Sequence, residues 1–115
     1  MVSNDPAAYP EDGPEGMRTQ AERAGWDFPY LRDPEHVLAL AVGAVCTPDL
    51  FVYDAERRLV HRGAFDGSSP RNDVPLTGDD LRRALDAVLA GEAVPEGLAP
   101  SLGCSIKWVE GLGPQ

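Results

Sequence analysis

The chain has 115 residues, enough for one domain that buries roughly two-thirds of its unfolded surface, with 43% hydrophobic and 25% charged residues. Its formal net charge of −9, with 19 acidic residues against 10 basic ones, lacks the basic footprint that nucleic acid or an anionic membrane surface requires. No apolar run is long enough to span a bilayer and no charged-then-apolar leader opens the sequence, so the expected location is cytoplasmic.

The first residues, Met1–Asp5, carry only one or two positions of strand character before a loop from Pro6 to Gly13. Pro14 suits the first position of a helix, Glu15 suits its first turn, and Gly25 stops it. Met17, Ala21 and Ala24 give that helix a weak apolar face, and an extended aromatic stretch, Trp26–Leu31, follows. Asp33-Pro34-Glu35 predicts a second helix start, with Val37, Leu40 and Ala41 as its apolar stripe and Gly43 as its end.

Leu50-Phe51-Val52-Tyr53 is an unbroken apolar run that reads as a buried strand. The polar turn Asp54–Arg57 leads to Leu59–Gly63, so the two runs pair as a hairpin, with His61 facing solvent. Phe65–Pro75 reads as a polar loop. The best helix runs from a Thr77 cap, with Asp80 at the capping-box position, to Gly91. Leu81, Ala84, Leu85, Val88 and Leu89 form its apolar stripe. Beyond it Gly103–Trp108 is the one apolar island in a Pro- and Gly-containing segment.

The chemistry-bearing residues are two cysteines, too few for a disulfide framework. Cys46 follows the carboxyl end of a predicted helix, where the macrodipole disfavours a thiolate, and its chain neighbours supply Asp49 and no cation. It is therefore a poor primary nucleophile, better suited to a resolving or substrate-contacting role, or to a plain buried position. Cys104 lies between Gly103 and Ser105, where backbone approach is easy, with Lys107 near enough to favour a thiolate. A resolving thiol and a merely incidental one, in a segment anchored by Ile106 and Trp108, are both open. His36, His61, Cys46 and Cys104 are zinc-ligand types, but none shows the close spacing of a structural zinc site, and no metal or other cofactor is predicted.

Ser3-Asn4-Asp5 with Tyr9-Pro10-Glu11-Asp12, Phe28-Pro29-Tyr30-Leu31, Cys46-Thr47-Pro48-Asp49, Arg62-Gly63 with Phe65-Asp66, and Gly103–Trp108 together resemble the peroxiredoxin-like thioredoxin family. This is the redoxin group placed with the alkyl hydroperoxide reductase/thiol-specific antioxidant proteins. The resemblance covers nearly the whole chain. It implies an α/β thioredoxin-like fold ordered as helix, short helix, cis-proline at Thr47-Pro48, hairpin, helix and irregular tail. It also implies truncation at the amino end, because family members carry an upstream strand and a helix bearing the principal reactive cysteine. The expected division is a partial thioredoxin-like domain over 1–92 and a tail over 93–115 with Cys104.

The implied activity is thiol–disulfide oxidoreductase or peroxiredoxin-like antioxidant chemistry, weak or absent in this chain alone. Cys46 and Cys104 are then the catalytic thiols, and Thr47 and Pro48 contact a thiol, disulfide or peroxide substrate. The alternative is a non-catalytic thioredoxin-like binding module or a gene fragment. In the implied fold the missing strand lies against Leu50–Tyr53, so the chain is expected either to associate through that edge or to be marginally stable and loosely packed.

Overall fold

A computed structural model describes residues 1–115. It is a small mixed α/β structure of helices and short paired strands: α1 (Pro14–Ala24), α2 (Val37–Ala41), β1 (Cys46–Thr47), β2 (Leu50–Tyr53), β3 (Leu59–Gly63), α3 (Asp79–Ala90) and β4 (Cys104–Ser105). Its contacts group along lines other than a 1–92 domain with a tail. One unit comprises 1–45 with 105–115, and the other comprises 46–104.

In the first unit α1 has the predicted bounds. Pro14 occupies its first turn, and Gly25 ends it in the left-handed region, its N–H reaching the Ala21 and Glu22 carbonyls. Val2 and Arg32 form a parallel bridge, through Val2 N–H to Leu31 O at 2.8 Å and Asp33 N–H to Val2 O at 2.9 Å. α2 starts at Val37 rather than at Pro34, because His36 adopts a left-handed conformation at φ 57°. Asp33 still caps the helix from outside: its carboxylate accepts the Leu38 N–H at 3.2 Å and the Ala39 N–H at 2.9 Å.

His36, only 1% exposed, organises this unit. Its Nε2 accepts the Val109 N–H at 2.9 Å, so Nδ1 carries the proton and donates to Ser3 Oγ at 2.9 Å. The Ser3 hydroxyl in turn reaches Asp33 Oδ2 at 3.3 Å. Trp108 packs edge-on against the imidazole, and Ile106 is buried, so these two residues anchor the 105–115 segment as the sequence predicts. Asn4 adds a further tie by accepting the Lys107 N–H at 2.8 Å.

In the second unit β2 and β3 form the expected antiparallel hairpin, with Leu50 opposite Gly63, Phe51 opposite Arg62 and Val52 opposite His61. An irregularity between Val52 and Tyr53 brings Leu59 opposite Tyr53 and breaks the simple alternation. This corrects two expectations. His61 shares the buried face with Val52 and is 7% exposed, not solvent-facing. The run Leu50–Tyr53 is not wholly buried either: Val52 is, Leu50 and Phe51 are half-buried, and Tyr53 is exposed, since β3 is the only sheet neighbour of β2.

α3 also departs in detail from its predicted form. Its N-cap is Gly78, at φ 72°, and no side chain of the cap residue closes the first turn. Only glycine fits there, because a Cβ would stand 2.6 Å from the Phe65 ring. The predicted Thr77 stands just before this cap, where its Oγ1 accepts the Asp79 N–H at 3.3 Å, and the Asp66 carboxylate accepts the Thr77 and Gly78 N–H groups at 2.6 and 2.7 Å, with the Ser68 N–H and hydroxyl besides. The buried face consists of Ala84 and Ala87, while Leu85 and Leu89 of the predicted stripe are exposed.

Candidate functional site

The second unit brings both cysteines to one place. β1, which contains Cys46 and Thr47, is hydrogen-bonded to the strand that Cys104 opens. Gly103 makes this approach possible: a Cβ there would meet the Thr47 carbonyl carbon at 2.6 Å and the Pro48 nitrogen at 3.1 Å. Any side chain at 103 would push the strand away, so the Gly-Cys order of the sequence has a packing reason. The Thr47–Pro48 peptide is cis, as expected.

Cys46 is half-buried and Cys104 is exposed, and both thiols are free. The Cys46 thiol faces the Pro48 carbonyl oxygen at 3.7 Å. Burial pushes its pKa up, the Asp49 carboxylate pushes it further, and the Arg62 guanidinium opposes both without reversing the shift. Asp49, with its side chain only 3% exposed, pairs with Arg62 at 2.8 Å. Arg62 lies over the Phe51 ring, 5.1 Å from its centroid. Ser101 Oγ lies 2.7 Å from Asp49 Oδ1 and 2.6 Å from the Gly63 carbonyl oxygen, sharing one proton between the two acceptors.

The sequence names Cys46, Thr47, Pro48 and Cys104, and these four do cluster. It misses Arg62 and Ser101 as members of the Cys46 surroundings. The hairpin register holds the signal for Arg62, because pairing Phe51 with Arg62 returns a cation toward Asp49. Nothing local flags Ser101, which arrives from 52 residues away. Lys107, the cation expected to assist Cys104, instead donates from Nζ to the Ser105 carbonyl and hydroxyl oxygens.

Beside Pro48 lies a groove of about 790 Å3, lined chiefly by Pro48, Leu50, Phe65, Leu76, Pro100 and Leu102. Its carboxylate, Asp66, is fully engaged. The N–H of Gly78 and the Ser68 hydroxyl, with the Ser68 and Thr77 N–H groups, hold its pKa well below the usual carboxylate range against the opposing effect of burial. No group of three or more His, Cys, Asp or Glu side chains is arranged to hold a metal ion. No helix is long and apolar enough to cross a membrane.

No family model matches the chain, and no curated protein matches it. Solved structures do. The chain is 50% identical to the hypothetical protein SMc02350 from Sinorhizobium meliloti 1021, with a TM-score of 0.91, over 95% of this chain and 60% of that one. It is also 50% identical to an uncharacterized conserved protein from Geobacillus kaustophilus, with a TM-score of 0.90, over 94% of this chain and 57% of that one. The chain shares its α/β fold with these two bacterial proteins and spans 60% and 57% of their lengths.

Proposed function

We propose that the chain is the carboxyl-terminal part of a thioredoxin-like, peroxiredoxin-type thiol–disulfide oxidoreductase, contributing the resolving and substrate-contacting side of the site. One observation carries the reading: Cys46-Thr47-Pro48 and Gly103-Cys104 converge through a backbone contact that requires glycine. Two thiols of unlike character, one half-buried and one exposed, thus lie on paired strands, and Pro48 and Leu102, each two residues along the chain from a cysteine, line a largely apolar groove. The family resemblance of those same two segments points the same way.

In this reading a peroxide oxidises a partner thiol to a sulfenic acid. The Cys104 thiolate attacks the sulfenic sulfur, a disulfide forms, and the oxygen leaves as water after taking a proton. An external dithiol then reduces the disulfide and returns both thiols. Cys46 is the slower thiol, because its surroundings favour the neutral form. Thr47 and Pro48 present backbone to the incoming sulfur-bearing group.

The same raised Cys46 pKa favours a second reading, a thioredoxin-like module that binds a partner and performs no redox step. Thiol–disulfide exchange with an aromatic disulfide whose released thiol is coloured separates them. The oxidoreductase reading expects a rapid first release from Cys104, lost in Cys104→Ser and kept in Cys46→Ser. Release from both cysteines no faster than from free cysteine at the same pH supports the binding module instead.

A further inference from the structure

We infer that the first unit carries a binding site for a small organic carboxylate with an apolar body, between α1 and the Tyr30–Arg32 segment. Pro14, Met17, Arg18 and Ala21 recur at helical spacing, so they share one face of α1. Tyr30 and Arg32 are two residues apart on an extended segment, so they also share a face. The two faces meet around a groove of about 280 Å3 lined by just these six residues.

Its chemistry is specific in kind. The floor is apolar, from Pro14, Met17, Ala21 and the Tyr30 ring, and Met17 is buried. The charged residues that line it are Arg18 and Arg32, both exposed, and no acidic side chain lines it. In a chain of net charge −9, neither arginine makes an ion pair or a side-chain hydrogen bond. The Asp12 carboxylate, which after burial raises the Tyr30 pKa, is held by Asn4 Nδ2 at 2.8 Å. The Tyr30 hydroxyl is turned to Gln20 Oε1 at 2.7 Å, which leaves the ring as wall rather than as donor.

Two unpaired planar forks over an apolar floor suit a carboxylate, which takes bidentate hydrogen bonds while its hydrocarbon part covers Met17 and Ala21. The volume is near the lower end for ligand pockets, which limits the body to about one ring or a short branched chain.

Phenylacetate is the probe, titrated against the whole chain while the Met17 and Ala21 methyl and Tyr30 ring resonances are followed. Two comparators are used: 2-phenylethanol, which keeps the body without the charge, and inorganic phosphate, which keeps charge without the body. Saturable shifts confined to these residues are expected with phenylacetate, weakening as salt rises. The Arg18→Gln/Arg32→Gln variant should bind at least about tenfold more weakly, since both charge-assisted contacts are gone. Both arginines are exposed, so the Trp108 and His36 resonances should stay in place and report an intact fold. Equal binding of 2-phenylethanol, equal binding by the double variant, or no saturable shift would each overturn the inference.

Discussion

The buried carboxylate of Asp49 holds the guanidinium of Arg62 at 2.8 Å, and that pair sets the electrostatic surroundings of Cys46. Asp49 raises the thiol's pKa and Arg62 lowers it, on top of the larger upward push of burial. Substitution of each partner therefore has a definite sign. Asp49→Asn should lower the Cys46 pKa and speed its alkylation at fixed pH. Arg62→Met should do the reverse. The pH dependence of iodoacetamide labelling in a Cys104→Ser background measures both. Asp49→Asn should also cost about 1–3 kcal/mol in urea denaturation, below the figure for a fully buried pair because Arg62 is partly in water. Identical labelling rates in the two variants would remove the ion pair from the account of Cys46.

Gly103→Ala tests the packing that brings the two thiols together. Its Cβ would collide with the Thr47–Pro48 backbone, which no rotamer change relieves. A loss of about 1–3 kcal/mol is expected by urea denaturation, of the size that overpacking produces elsewhere. Gly67→Ala is the comparison: its Cβ would lie 3.7 Å from Val74 Cγ1, in ordinary contact, and at a surface position the change should be within about 0.5 kcal/mol. Equal stability of the two variants would show that the close approach is not required.

Acid should weaken the second unit through Asp66. Its folded pKa is depressed, chiefly by the Gly78 N–H and the Ser68 hydroxyl, so the unfolded chain binds the proton more readily. The stability it contributes is complete above the unfolded carboxyl pKa of about 3.9 and is lost as the pH falls below that value. Asp33 in the first unit has the same sign. Burial raises its pKa, but the Ala39 and Leu38 N–H groups and the Ser3 hydroxyl outweigh it. Denaturation midpoints measured from about pH 6 to about pH 3 should fall, and the fall should be shallower in Asp66→Asn. An unchanged slope in that variant would contradict the assignment.

Periodicity and punctuation made the elements legible: Pro14 and Gly25 bound α1, Gly91 ends α3, and two runs about a polar turn mark the hairpin. Interactions at long range were not legible. The carboxylate that holds the Gly78 N–H ahead of α3 is that of Asp66, 12 residues earlier, and the α2 start is moved by the His36 conformation and the Asp33 carboxylate. The register that sets His61 opposite the buried Val52, and so buries it, is a property of the folded hairpin that an unbroken apolar run does not reveal. At the site, the cysteines and Thr47-Pro48 were named from residue type and resemblance. The Asp49–Arg62–Ser101 network needed the folded register.

The free edge of β2 carries a proposal about association. β3 is its only sheet neighbour, and Leu50–Tyr53 contains no proline or charge to discourage further pairing. Sedimentation over a range of concentrations should detect self-association of the chain, reduced in Tyr53→Lys. A monodisperse monomer throughout, with strongly protected Phe51 and Val52 amides, would contradict it.

The central claim is that Cys46 and Cys104 form one thiol site with unequal roles. The strands that carry them are neighbours in one two-stranded sheet, and a disulfide needs Cα atoms within about 7 Å. The most direct measurement is cysteine-resolved mass spectrometry of the chain, alkylated as a function of pH and then after mild oxidation. The account predicts that Cys104 is labelled first and Cys46 only at higher pH, and that oxidation yields the Cys46–Cys104 peptide. Labelling of Cys46 ahead of Cys104 near neutral pH, or oxidation that gives only intermolecular bridges, would contradict it.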